Sequence, residues 1–85
     1  MTMELGGVWM MRELVEYLAK ALVENPDAVS VGIVENEKHT VLELRVAPED
    51  MGKVIGKQGR IAKAIRTVVK AVATKEGKKV NVEIL

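Results

Sequence analysis

The sequence predicts an α+β domain of two layers, in which three helices cover one face of a three-stranded sheet in the order α-β-β-α-α-β. Three observations lead to this fold class. Apolar residues recur at intervals of three and four near the N-terminus and again after residue 60, as in amphipathic helices. Between these segments and at the C-terminus they alternate with polar residues, as in strands with one buried face. At 85 residues the chain has room for one core.

The first helix is expected over about residues 10–24, and Pro26 ends it because proline disfavours helical geometry in the residue before it. Residues 1–8 show no periodicity and include Gly6 and Gly7. We therefore expect a flexible leader at residues 1–10 and a folded domain at residues 11–85. The apolar stripe of the helix consists of Met11, Leu14, Val15, Leu18 and Leu22.

Two strands are expected to follow as an antiparallel hairpin, joined by the polar residues 35–39. Each strand has one apolar face, so helices should cover one side of the sheet while the other side faces water. The alternating apolar positions are Val29, Val31 and Ile33 in the first strand, and Leu42, Leu44 and Val46 in the second.

A short helix is expected from about Pro48 to Ile55, because proline is tolerated at the first helical position and acidic residues favour the positive end of the helix dipole. Residues 56–59 interrupt it, and a longer helix continues to about Lys75. The last strand is indicated by the alternation of Val80, Val82 and Ile84 with polar residues.

Charge is distributed unevenly along the chain. Residues 1–52 carry four basic and ten acidic side chains, whereas residues 53–79 carry nine basic side chains and one acidic side chain. The net charge of +1 therefore conceals a segment of +8, a density typical of surfaces that bind phosphates.

Composition argues against several other functions. The chain has no cysteine, which excludes disulfides, thiolate metal sites and thiol nucleophiles. No apolar run approaches the roughly 18 residues of a membrane span, and we interpret the protein as cytoplasmic, with no membrane contact. The only histidine, His39, falls in the expected hairpin loop, and the carboxylates are scattered. We expect no catalytic residue, no metal, no cofactor and hence no enzyme.

The interruption at Gly56-Lys57-Gln58-Gly59 is the feature that indicates a binding site. Glycine at both ends permits positive φ and removes the Cβ atoms that would block a ligand. Gly59 precedes the first turn of the next helix, where free N–H groups and the helix dipole favour a phosphate. Lys57 and Arg60 add full positive charges beside it.

The segment Val54-Ile55-Gly56-Lys57-Gln58-Gly59-Arg60-Ile61 resembles the signature of the KH domains, an aliphatic pair and Gly-x-x-Gly followed by an aliphatic residue two positions on. The element order is similar to that of type II KH domains. Residues 11–17 and 45–53 extend the resemblance, so that residues 11–85 resemble the KhpA/YlqC family of small stand-alone bacterial KH proteins.

This resemblance implies a groove that grips about four nucleotides of single-stranded RNA by their backbone. Val54 and Ile61 are expected to form an aliphatic floor for the bases, with Val80 and Val82 as further candidates. Few aromatic residues are available for stacking, so the affinity should be modest and strongly dependent on salt. The implied RNA-binding residues are Lys53, Val54, Gly56, Lys57, Gln58, Gly59, Arg60, Ile61, Lys63, Lys78 and Lys79.

A single domain of this kind reads little sequence, and a second linked domain would supply avidity. The resemblance implies a homodimer, or a heterodimer with the larger KH protein known as KhpB or Jag. It also implies a role as an RNA chaperone or post-transcriptional regulator.

Two other interpretations remain open at this point. Residues 51–73 could form a DNA-binding helix-turn-helix, which would prefer duplex DNA to short single-stranded RNA. Alternatively, the domain could be a protein-protein assembly module with an inert loop. Replacing Gly56 and Gly59 together by Asp should abolish RNA binding and leave the fold intact if the loop is the binding site.

Overall fold

The structure, a computed structural model, describes the backbone of residues 3–85 and the side chains of residues 7–85. The predicted α+β class and the order α-β-β-α-α-β are confirmed. Short 3-10 turns lie at Pro26–Ala28, Pro48–Asp50 and Lys57–Gly59. The main elements are helices α1 (Met3–Leu22), α2 (Met51–Ile55) and α3 (Arg60–Lys75), and strands β1 (Ser30–Glu35), β2 (Thr40–Arg45) and β3 (Val80–Ile84).

The sheet has the strand order β1-β2-β3, with β2 in the centre. Strand β1 is antiparallel to β2, with Val31 opposite Leu44, and β3 is parallel to β2, with Val82 opposite Leu42. A parallel pair requires a long crossover, which α2 and α3 provide here. This connection places α3 beside β3, an edge strand whose outer side is free of other strands.

The core lies between the helices and one face of the sheet. On the opposite face, Asn81 and Glu83 are exposed. This arrangement explains the alternating pattern of the strands, since every second side chain faces the helices. The core side chains are Met11, Val15 and Ala19 of α1, Val54 of α2, Ile65, Val69 and Ala73 of α3, and Val29, Val31, Leu42, Leu44, Val80 and Val82 in and beside the sheet.

Helix α1 begins at Met3, seven residues before the expected start, and ends at Leu22 rather than residue 24. Gly7 is buried, and a Cβ atom there would lie 2.8 Å from Cε of Lys78, the far end of a flexible side chain that can move aside. The helix thus continues through Gly7, although glycine inside a helix is unfavourable by about 1 kcal/mol relative to alanine. Residues 1–2 lie outside the described part, and the flexibility of the leader stays a prediction.

Arg12 connects α1 to the first edge strand. Its Nε donates a hydrogen bond to the Val31 carbonyl at 2.9 Å. The guanidinium also lies 4.9 Å from the centre of the Trp9 ring and 2.9 Å from the Glu16 carboxylate. One carbonyl at the β1 edge is therefore occupied by a side chain of the domain itself.

Asp50 connects the end of α1 to the beginning of α2. Its side chain is 1% exposed and accepts hydrogen bonds from the backbone N–H groups of Glu24 (3.1 Å) and Asn25 (3.0 Å) and from Nδ2 of Asn25 (2.9 Å). Burial alone raises the pKa of Asp50, but these hydrogen bonds and nearby Lys53 outweigh it and hold the pKa below its ordinary value. The carboxylate was expected to interact with a helix dipole, and it instead fixes the position from which α2 leads into the loop.

Candidate nucleic-acid interface

The loop between α2 and α3 has a backbone that most residues cannot adopt. Gly56 has φ 77° and ψ 173°, and Gly59 has φ 73° and ψ 16°. A Cβ atom on Gly56 would lie 2.6 Å from Cγ1 of Ile61, whereas a Cβ atom on Gly59 would meet no atom within 4 Å. Gly56 is therefore required by the fold itself. At Gly59 the left-handed backbone favours glycine, and the space around the position is open to a ligand.

The side chains at the tip of the loop are free to meet a ligand. Lys57 and Gln58 are exposed, and Gln58 itself has a positive φ of 57°. Among the ion pairs of the described residues, none includes Lys57. Arg60 reaches back to Oε1 of Gln58 at 3.4 Å, whereas Nζ of Lys53 lies 3.9 Å from the Asp50 carboxylate. Lys57 thus offers a full positive charge, and the charge of Lys53 is partly balanced.

A groove lined by basic residues runs along α3 between this helix and β3. Two adjoining hollows form it and share Lys70, Val80 and Asn81. We call it the basic groove, because its lining includes no acidic side chain. The near part, closer to the loop, is lined by Lys63, Arg66, Thr67, Lys70, Val80, Asn81 and Val82, and the far part by His39, Lys70, Ala73, Thr74, Lys78, Lys79, Val80 and Asn81.

The edge of β3 forms one wall of the basic groove. The N–H of Thr40 bonds to the Lys79 carbonyl and the N–H of Leu85 to the Leu44 carbonyl, both at 2.9 Å. Because backbone groups alternate in direction along a strand, Val80 and Val82 direct theirs away from β2. Nε of Arg66 donates to the Val82 carbonyl at 3.2 Å. The groove therefore offers backbone donors and acceptors as well as positive charge.

The structure brings only some of the expected residues into the groove. The residues of the Gly56–Gly59 loop and Arg60 line neither part of it, and Val54, Val80 and Val82, the expected apolar floor, are buried core residues. Lys63 lines the near part of the groove and Lys78 and Lys79 line the far part. Ile61 is partly exposed, but Val54 is fully buried in the core. The expected contact between Val54 and a base is incompatible with this burial, because α2 turns this side chain inward beneath the loop.

Several groove residues were not anticipated from the sequence. Arg66, Thr67, Lys70 and Thr74 follow Lys63 at helical spacing and so share one face of α3. That spacing was a usable signal for these four. His39 and Asn81 had no such signal, because the sheet brings them to the groove from distant parts of the chain.

A second surface is apolar and lies on the outer side of α1 and α3. Met10, Leu14, Tyr17 and Val72 line a shallow hollow there, and Val68 is exposed one turn before Val72. Tyr17 is 71% exposed. We call these five residues the apolar patch.

No helix in the described residues is long and apolar enough to cross a membrane. The same residues contain no group of three or more His, Asp or Glu side chains arranged to hold a metal ion.

Several bacterial proteins are similar to this chain in sequence. The chain is 68% identical over 75 residues to the RNA-binding protein KhpA of Clostridium perfringens. The matched region covers 88% of this chain and all of the relative. It is 55% identical over 75 residues to the RNA-binding protein KhpA of Aquifex aeolicus, covering 88% and 95%. Listeria monocytogenes has an RNA-binding protein KhpA that is 49% identical over 75 residues, covering 88% and 99%.

A solved structure shares the fold. The crystal structure of a single-residue variant of Aquifex aeolicus Era bound to GDP.AlF4- matches 88% of this chain and 29% of that chain, with a TM-score of 0.62 and 24% identity. The family model described as "KhpA/KhpB, KH domain" matches residues 12–84. It does not describe an enzyme family, in agreement with the prediction from the sequence. The chain belongs to the KhpA/KhpB family of KH domains.

Proposed function

We propose that this protein binds single-stranded RNA in the basic groove, with the Gly56–Gly59 loop gripping the backbone of about four nucleotides. The observation that carries the proposal is a groove whose lining has basic but no acidic side chains and which begins at Lys63 of α3, four residues after Gly59 at the end of the loop. The names of the bacterial relatives add support, since they describe RNA-binding proteins.

In this proposal the loop and strand β3 contact different parts of the RNA. Phosphates lie against the loop, where Lys57 and the N-terminal turn of α3 supply positive charge. Bases lie toward β3, where the backbone groups of Val80 and the N–H of Val82 can form hydrogen bonds. Ile61 contributes apolar contact near the loop. Such contacts hold an unpaired strand, since a duplex keeps the pairing edges of its bases inside.

Lys57→Ala is expected to lower RNA affinity about fivefold and to reduce the dependence of affinity on salt. Removal of one phosphate contact should make the slope of log K against log salt less negative by about 0.7. Fluorescence anisotropy with a labelled short RNA, titrated at several salt concentrations between about 50 and 200 mM, measures both.

Lys75→Ala is the matched control, because Lys75 is an exposed lysine of α3 that does not line the groove. Equal effects of the two variants would contradict a specific role for the loop. Tighter binding of duplex DNA than of single-stranded RNA at the same salt would favour the helix-turn-helix interpretation instead.

The proposal includes a second copy of the chain that binds to the apolar patch. Helix α3 carries five basic side chains and no acidic one, while Glu13 of α1 lines the hollow in the patch. A two-fold pair can therefore bury the patches together and place the acidic margin of α1 near the basic α3 of the other copy. Two joined grooves would provide the avidity that one groove lacks.

Tyr17→Glu is expected to weaken self-association at least about tenfold, because it places a charge within a buried apolar contact. Analytical ultracentrifugation over a concentration series measures this change. Val34→Glu is the control, since Val34 is an exposed apolar residue on the sheet and outside the patch. If the wild-type protein stays monomeric but binds a larger KH protein through Tyr17, the homodimer is contradicted and the heterodimer is supported.

A cytoplasmic role as an RNA chaperone or post-transcriptional regulator completes the proposal. Weak, salt-sensitive contacts along a short stretch of RNA allow rapid exchange, which is the property that remodelling of RNA requires.

A further inference from the structure

We infer that His39 is a stacking platform for the nucleotide that follows the four held by the loop, an inference that rests on the proposed function. It assigns RNA contact to the β1-β2 hairpin and lengthens the RNA footprint beyond the loop. It also gives the only histidine of the chain a role that is neither catalytic nor metal-binding.

The position of His39 at the far end of the basic groove carries the inference. The imidazole lies in the lining together with Lys70, Lys78 and Lys79. From Arg60 beside the loop to Thr74 in the far part, α3 rises about 21 Å at 1.5 Å per residue. An RNA strand that follows the groove away from the loop therefore reaches this ring.

His39 is the only aromatic ring among the described residues that line the groove. Trp9 lies beside Arg12 on α1, and Tyr17 lies in the apolar patch. Unpaired bases stack on aromatic side chains, including histidine, and such stacking tolerates any base. A base that reaches the far part of the groove has this one flat partner.

Hydrogen bonds within the hairpin fix the backbone that carries the ring. Oδ1 of Asn36 accepts hydrogen bonds from the backbone N–H groups of Lys38 (3.1 Å) and His39 (3.0 Å). The backbone N–H of Asn36 bonds to the His39 carbonyl at 3.0 Å, and its side-chain Nδ2 lies 3.4 Å from Nε2 of the ring. The three bonds to backbone groups leave the turn little conformational freedom to lose when a base stacks on the ring.

The surrounding charges bring a phosphate to the ring from one side. Lys70 of α3 and Lys78 and Lys79 of the α3-β3 loop share the hollow with His39. Glu35 and Glu37 of the hairpin line an adjoining hollow that also includes His39, Lys78 and Lys79. His39 therefore lies between the basic groove and a hollow of mixed charge, and the three lysines supply the positive charge on its groove side.

The test compares RNAs of four and eight nucleotides of the same base composition. A longer RNA contains more overlapping four-nucleotide sites, which alone raises its apparent affinity. For the wild type, the eight-nucleotide RNA is expected to bind more tightly than this statistical effect explains. His39→Ala should weaken binding of the eight-nucleotide RNA about fivefold and leave binding of the four-nucleotide RNA unchanged. His39→Phe should retain the advantage of the longer RNA, whereas His39→Lys should lose it. Lys38→Ala, on the same turn, is the control and should behave as the wild type.

Binding of the four-nucleotide RNA separates this inference from the proposed function. If neither RNA binds the wild type, the proposed function fails. If the four-nucleotide RNA binds but His39→Ala keeps the full advantage of the longer RNA, only the stacking role is overturned. NMR provides a direct measurement, since one imidazole gives one set of ring signals. Stacking should shift these signals upfield with the longer RNA alone, and equal shifts with both lengths would overturn the inference.

Discussion

Gly59→Asp is expected to lower the affinity for single-stranded RNA by at least about tenfold while the domain stays folded. The new carboxylate would stand where the phosphates are proposed to lie, beside Lys57 and at the N-terminal turn of α3. A Cβ atom at this position meets no atom within 4 Å. Asp also tolerates the left-handed backbone of Gly59 better than most residues do. RNA titration and thermal unfolding of the same sample measure the two effects.

Two controls separate charge from shape in this experiment. Gly59→Asn has the same size without the charge and should lose much less affinity than Gly59→Asp. Gly32→Asp introduces the same charge at an exposed glycine of β1 whose Cβ would also meet no atom within 4 Å, away from the loop and the basic groove. Equal affinity of the wild type and a folded Gly59→Asp variant would reject the loop as the RNA grip and favour an assembly module.

The double replacement of Gly56 and Gly59 is a poorer test than the sequence suggested. A side chain at Gly56 would collide with Ile61, the residue that covers it, as well as strain the backbone. Loss of binding in the double variant would therefore combine a damaged fold with a damaged site. The single replacement at Gly59 avoids that ambiguity.

Asp50→Ala is expected to lower the melting temperature by about 10–20 °C, a large effect for a single polar side chain. The change leaves the partly buried N–H groups of Glu24 and Asn25 without their acceptor. Asp27→Ala removes an exposed carboxylate a short distance along the chain and is the control. A difference of less than about 3 °C between the two variants would contradict the role assigned to Asp50.

Acid should remove the same contribution from the wild type. Because the pKa of Asp50 is lower in the folded state than its ordinary value of 3.8, folding is favoured by the ionised carboxylate above that value. The contribution is lost as the pH falls below 3.8 and through the folded-state pKa. Asp50→Asn should be less stable than the wild type at neutral pH, and the difference should narrow in acid. A difference that stays constant with pH would mean that the charge of Asp50 is not involved.

Local patterns in the sequence account for the elements and for the centre of the site. The period of the apolar residues identifies the helices and strands, and Gly56 and Gly59 together with the basic run identify the loop. What escaped prediction depends on contacts between distant positions. The burial of Val54, the bonds of Asp50 to residues 24 and 25, and the approach of His39 to Lys79 are set by packing and strand pairing. No spacing along the chain encodes them.

The same reason explains why the start of α1 was placed too late. Gly6 and Gly7 indicate a break when helix propensity is considered alone. Gly7 instead lies inside α1 and is buried, with the end of the Lys78 side chain beside it. A glycine inside a helix and a glycine that ends a helix look alike in a sequence, and only the surrounding structure distinguishes them.

Arg12 and Arg66, which bond to the two edge strands of the sheet, oppose aggregation through those edges. A sheet with bare edges is a template on which further strands can add. Here Arg12 occupies the Val31 carbonyl on one margin and Arg66 occupies the Val82 carbonyl on the other, and both place a bulky cation in the path of an incoming strand. The margin facing the groove can thus stay accessible to a nucleic acid while it remains a poor seed for fibrous growth.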